Sequence, residues 1–276
     1  MASSGDDHLP GLRCTCRPGE CSGLVSMEFG TEVEIHGQCA MIYVGIDDTD
    51  MPETPGTNQL ARALIADIAD QFRCVMLLRH QLLDDPRVPY TSKNGSASIQ
   101  LEPINESAVA LEPLIRRLRE RMLAWYVPGS DPGLCVTTVV PDEVTDFGRQ
   151  CQTELVTRDQ AERLATRYGV FLEGLGGTRG GMIGALAAVG LAASRNDGRV
   201  VVNGTWPDDL AGRQHVPALG ARGVAVQCLR SGAWVGDGQI DVGKHLRPNV
   251  RSGKIVLFVE PAVAGGGCDW QAVRLT

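Results

Sequence analysis

Aromatic side chains are scarce in this sequence, at 5% of residues against 33 glycines. That excludes broad ring platforms for stacking single-stranded bases and points to tight turns and close backbone approach. No run of about 18 apolar residues occurs, so no membrane-spanning helix is expected. The opening MASSGDDHLPG lacks the basic start and apolar stretch of a secretory signal, and a cytoplasmic location is the expectation. An excess of positive charge is missing as well. The net charge of −7 and pI of about 5.3 exclude a broadly basic nucleic-acid wrapper, though a local basic face is still compatible with them. The chain has no Gly-Lys-Ser/Thr of a Walker A loop, no Gly-x-Ser-x-Gly elbow and no Cys–His nucleophile signature. Its nine cysteines, an odd number, fit a reduced compartment better than a disulfide framework.

The 276 residues, 43% hydrophobic and 21% charged, suffice for a large core and two domains. Three regions are expected. Residues 1–40 carry Cys14, Cys16, Cys21, His36 and Cys39 without clear periodicity. They read as a disordered tail, a start-site extension or a small zinc knot of uncommon spacing. Residues 41–135 read as an acidic-loop ATP/Mg²⁺ domain, and 136–276 as a glycine-rich helix followed by short β-prone pieces. The fold class is α/β (α+β): a strand–acidic loop–helix domain, a second ferredoxin-like α+β part and a small β-rich C-terminus.

The stretch MIYVGIDDTDMPETPGTNQLAR organises the rest. An apolar strand, Ile42 to Ile46, runs into Asp47, Asp48 and Asp50, and a Pro/Gly loop then leads into an amphipathic helix from Asn58 to Phe72. Clustered carboxylates at a strand end are costly unless a cation neutralises them, and oxygen ligands of this kind suit Mg²⁺. The alternative is a solvated acidic turn with Asp as helix caps. The three lie too close together for all to point into one site, and Asp48 and Asp50 share a side only if the strand persists. Asp47 and Asp50 are preferred over Asp48 as metal ligands. Thr57 either caps the helix or approaches a phosphate. Lys93-Asn94-Gly95-Ser96 is either a phosphate clamp or a hairpin turn feeding strand Ala97 to Leu101. In GLGGTRGGMIGALAAVG, residues Gly177, Arg179, Gly180 and Gly181 precede a helix whose amides could receive a phosphate; close Gly/Ala packing is the alternative. Thr157 and Gln160 predict a capping box, and Arg116, Arg117, Arg119 and Arg121 a solvated helix face. His80, His215 and His245 have no metal-ligand partner at standard spacing and read as structural.

VGIDDTD, the threonine seven positions on (Thr57), VPYTSKNGSA and GGMIGALAAVG, in that order, resemble the tRNA agmatinylcytidine synthetase family over about residues 41 to 195. The resemblance implies an unusual kinase-like domain using ATP and Mg²⁺. It would phosphorylate C2 of a tRNA cytidine, which agmatine, a polyamine-type amine, then attacks. It implies that Asp47, Asp48 and Asp50 hold Mg²⁺ and the ATP phosphates, with Thr57 at the phosphorylatable threonine. Tyr90, Lys93, Asn94 and Gly95 would lie in one phosphate loop, and the glycines before Ala185 in another. Departures are the one-residue displacement of Arg179, MPETP at Met51 to Pro55 in place of the usual small-residue loop, and no C-terminal Cys₄ pattern for the family's zinc ribbon. The expected function is ATP/Mg²⁺-dependent phosphoryl transfer or ligation, with ATP, tRNA and an amine as partners. The alternatives are a small-molecule acceptor or a non-catalytic nucleotide-binding subunit.

Overall fold

The computed structural model describes residues 23–26, 32–35, 41–88, 94–105, 110–204, 210–263 and 267–275. The chain divides at Cys39 into two compact units. Within the first, β1 (Gly23–Ser26) and β2 (Glu32–Ile35) pair antiparallel. The five candidate zinc ligands between Cys14 and Cys39 lie outside the described residues.

The second unit opens with β3 (Ile42–Asp47), α1 (Thr57–Asp67), β4 (Phe72–Gln81), β5 (Gly95–Pro103), α2 (Leu111–Ala124) and β6 (Gly133–Thr137). The strands lie in the order β6-β3-β5-β4, antiparallel throughout. Two interleaved βαβ units in this order are the ferredoxin-like arrangement, and here the acidic-loop region itself supplies it. Alternation along β3 sends Ile42, Val44 and Ile46 into a core with Leu60 and Leu64 of α1 and Leu114 and Leu118 of α2.

The opposite face takes the helices that follow: α3 (Asp142–Thr153), α4 (Arg158–Tyr168) and, after β7 (Phe171–Gly174), α5 (Gly181–Ala193). The sequence reading has no helix at α3. Thr157 and Gln160 form the anticipated capping box at the start of α4. Nearly every residue of α5 is buried, because it lies across β3 where Gly45 has no side chain. A Cβ at Gly45 would overlap the Ala185 carbonyl. This crossing binds residues beyond 135 to the strand that precedes them, and the compact unit runs from Ala40 to Thr276 without a break at 135.

The sheet continues through β8 (Arg199–Asn203), which pairs with β4. It then runs into a β-rich part comprising β9 (Arg213–His215), the short α6 (Val216–Gly220), β10 (Val224–Cys228), β11 (Gln239–Asp241), β12 (Asn249–Arg251), β13 (Lys254–Pro261) and β14 (Trp270–Ala272). β12 continues the sheet beside β8, and a separate apolar core forms around Val226, Ile240, Leu257 and Val259. Among the described residues no helix is long and apolar enough to cross a membrane. On α2, Arg117 pairs with Asp67 and Asp70, and Arg119 pairs with Glu173, as a solvated face would.

Candidate active site

β3 carries its alternation only as far as Asp47. Asp48 then takes a left-handed conformation (φ 49°), which Asp tolerates better than most side chains. The turn cancels the strand's in–out rule. Asp47, Asp48 and Asp50 therefore all line one cleft, where the sequence reading has them too close together to do so. Thr57, Asn94, Gly95, Gly180 and Gly181 line the same cleft, so three separated motifs converge. Lys93 and Tyr90 lie outside the described residues.

Thr57 is the first residue of α1, and its hydroxyl does not cap the helix; Gly56 occupies the cap position. The hydroxyl donates instead to Asp50 Oδ1 at 3.1 Å and accepts from the buried Thr49 hydroxyl at 3.1 Å. Asn94 commits its amide to the Leu83 carbonyl at 2.8 Å, which shapes the cleft wall. Gly95 is overlain by the Arg79 guanidinium, which a Cβ there would strike.

The glycine-rich segment approaches from the other side. A Cβ at Gly184 would collide with the Asp47 carboxylate, and one at Gly181 with the Asp131 carbonyl. Only glycine lets the first turn of α5 come this close. Its preceding amides are already taken: Thr178, Arg179 and Gly180 donate to the Asp131 carboxylate at 3.1, 2.6 and 2.8 Å. The anion that the helix end attracts is thus one of the protein's own side chains. Arg179 turns out of the cleft, its guanidinium held by Glu162 at 2.7 Å. Gly177 (φ 53°) serves the turn and packs on Asp131, away from the cleft lining. Asp131 is missing from the residues that the sequence singles out, because a single Asp in a Pro/Gly turn has the bland explanation of a turn former.

Among the described residues, the carboxylates of the cleft repel one another. Burial, then the neighbouring Asp48, Asp50 and Asp131 charges, push Asp47 up to about 7, against one stabilising backbone hydrogen bond. Burial and the charges of Asp131 and Asp50 push Asp48 up to about 6. Among the described residues no set of three or more His, Cys, Asp or Glu groups is arranged to hold a metal alone. Mg²⁺ does not need one, since it commonly takes one or two carboxylates and completes its shell with phosphate oxygens and water. The donor set, all oxygen and in electrostatic excess, fits that ion. The cleft interior, about 190 Å³, is smaller than the roughly 300–1,000 Å³ of a drug-sized ligand site, so it suits phosphate groups and a cation.

A stability test follows. A carboxyl whose folded pKa lies above its unfolded value of about 3.9 keeps its proton longer in the native state. Its contribution is therefore fully present below the unfolded pKa and is lost as pH rises through the folded one. In EDTA, the native protein should lose stability relative to Asp47→Asn between pH 4 and pH 7. The variant should be the more stable by about 1–2 kcal/mol at pH 8, after allowance for solvent screening. Paired melts at pH 5 and pH 8 measure this, and a gap independent of pH would refute the repulsion.

No protein-family model matches the chain. It is 26% identical over 152 residues to TiaS of Pyrococcus horikoshii, a 2-agmatinylcytidine synthetase of an isoleucine tRNA; the match covers 54% of this chain and 35% of that protein. It is 27% identical over 166 residues to the TiaS of Methanopyrus kandleri, covering 59% and 37%. The chain is a relative of TiaS. It spans about a third of the length of the TiaS proteins it matches. Among solved structures, a complex of TiaS with its tRNA and ATP aligns with a TM-score of 0.49 at 22% identity, over 55% of this chain and 36% of that one.

Proposed function

We propose that the cleft is an ATP/Mg²⁺ site and that the chain carries out phosphoryl-transfer or ligase-type chemistry on an RNA acceptor, as TiaS, a tRNA 2-agmatinylcytidine synthetase, does by its name. One observation carries this reading: Asp47, Asp48 and Asp50 crowd into one cleft with Asp131, and among the described residues no cationic side chain enters among the influences on Asp47 or Asp48. Such a cluster is stabilised by a cation, and a cation so held presents its remaining positions to phosphate.

Asp47 and Asp50 are the proposed metal ligands, and Asp48 completes the negative wall. Mg²⁺, when bound, would neutralise charge on the transferring phosphoryl group. Asp50 orients the Thr57 hydroxyl and is placed to take its proton, which makes Thr57 a candidate phosphate acceptor. Asn94 and Gly95 form the facing wall, beside the segment that contains Lys93. Gly180 and Gly181 keep α5 close enough to close the cleft floor.

The test is turnover. Purified protein with Mg²⁺ and γ-labelled ATP, offered total tRNA with and without agmatine, should release or transfer the label and form a tRNA–amine product. Absence of turnover across a panel of RNA and amine acceptors would sink the proposal.

A further inference from the structure

Where β4 and β8 meet the C-terminal β part stands a group of cations that nothing in the cleft explains. Arg79 on β4 stands directly opposite Arg199 on β8, and Arg199 stands opposite Asn249 on β12. Directly opposed residues share a face of the sheet, and neighbouring strands lie about 4.8 Å apart, so the three side chains form a row. Arg247 and Arg274 flank Arg199 electrostatically and also line a cavity of about 350 Å³ with Lys244 and His245. Among the described residues that line this cavity there is no carboxylate.

Like charges placed directly opposite destabilise a sheet, and a part-buried cation without a partner is costly. Acids were available: the chain has 33 Asp and Glu against 26 Lys and Arg. Yet among the described residues no hydrogen bond or ion pair engages the guanidinium groups of Arg79, Arg199, Arg247 and Arg274; of the first three, only Arg79 is influenced by an acid, Asp50 at the cleft edge. Burial and the three neighbouring guanidinium groups push Arg199 down to about 10. Asn249, 4% exposed, leaves its Nδ2 donor without a partner among the described residues. Every unmet group in the row is a donor, and the planar fork of arginine matches phosphate oxygens. Arg79 connects the row to the cleft, since its guanidinium lies over Gly95 in the cleft wall.

We propose that the Arg79–Arg199–Asn249 row and the basic cavity formed with Arg247 and Arg274 are a track for the phosphodiester backbone of a single-stranded RNA segment leading into the acidic cleft. The proposal rests on the RNA-acceptor reading above and adds the residues that would hold that acceptor. The anion supplies the counter-charge that the fold withholds, and the track delivers the strand to the cleft past Arg79.

The experiment is fluorescence anisotropy with a short labelled single-stranded RNA, titrated with protein at several salt concentrations. Arg247→Gln/Arg274→Gln should bind at least about tenfold more weakly, and its log K against log salt slope should be shallower by about 1.4, two phosphate contacts at roughly 0.7 each. Arg247→Lys/Arg274→Lys should recover much of the affinity, because the charge remains. A Lys pair as defective as the Gln pair would overturn the track, as would unchanged affinity and slope in the Gln pair. Displacement of RNA by inorganic phosphate or polyglutamate at matched ionic strength, as readily as by unlabelled RNA, would also overturn it. Binding is read at equilibrium without ATP. RNA binding that depends on these arginines, in a protein with no turnover, therefore sinks only the catalytic reading; the converse sinks only the track.

Discussion

Asp47→Asn and Asp50→Asn should each lower ATP turnover by about 10²–10³-fold, the usual loss on deleting one preorganised electrostatic contact. Both variants should stay folded. At Asp47 the amide keeps the carboxylate's shape against Gly184 and removes repulsion from Asp48, Asp50 and Asp131. The apo variant should therefore melt no lower than the native protein, so lost turnover cannot be ascribed to unfolding. At Asp50 the amide can still accept from Thr57, whose hydroxyl is 3.1 Å from Oδ1 in the native protein. Thr57→Ala separates the two roles assigned to this pair. If Thr57 accepts phosphate, labelled protein should form in the native chain and disappear in the alanine variant. If it only orients Asp50, turnover should fall modestly and no labelled protein should form in either. Turnover unchanged in both aspartate variants would remove the metal site from the account.

Gly45→Ala should cost about 3 kcal/mol or more, near the upper end for overpacking. The obstacle is a backbone carbonyl, that of Ala185, with Val189 close behind. Backbone cannot rotate aside, so α5 must lift from β3. The Gly45 position is central to the sheet, with Ser98 on one neighbouring strand and Cys135 on the other. Lifting α5 also withdraws Gly181 and Gly184 from Asp47, so the site should fail along with the fold. Gly184→Ala makes the contrast. There the obstacle is the end of a side chain, the Asp47 carboxylate, which can move. It should cost less stability than Gly45→Ala and more activity per unit of stability lost. Thermal melts and turnover on the two variants decide this, and a Gly45→Ala protein as stable as the native chain would refute the packing argument.

What can be read from the sequence is local. The strand–acidic loop–helix unit has a sharp change of period at Asp47, and the capping box at Thr157 is a two-residue signature. The burial of α5 follows from its composition. Helix α1 is shorter than its periodicity suggests, ending at Asp67 because Phe72 is drawn into β4. Helix α3 is hard to read because DEVTDFGRQCQT is mostly polar and carries Gly148 in its middle. That glycine is there for contact, since a Cβ would crowd the Ala187 carbonyl and Leu191 of α5. Strand β6 ends at Thr137, whose hydroxyl turns back on Val139, and Pro141 then caps α3. The site is half legible for a similar reason. Asp47, Asp48 and Asp50 announce themselves by clustering, whereas Asp131 reaches the cleft only through the pairing of β6 with β3. Arg179 reads as a phosphate ligand in the sequence, yet Glu162, distant along the chain, holds it elsewhere.

Asp131 also gives the cleft a threshold. Its carboxylate is tethered against the amides that precede α5, so it competes for them at an effective concentration of about millimolar or more, the range for short covalent linkage. Stray monovalent anions meet an occupied berth. A ligand displaces the resident only if it brings more charge than one carboxylate, or its own cation to share with the evicted side chain. If the cleft takes Mg²⁺ and ATP as proposed, the self-occupied helix end would act as a filter that favours metal-bearing polyphosphates over the simple anions around them.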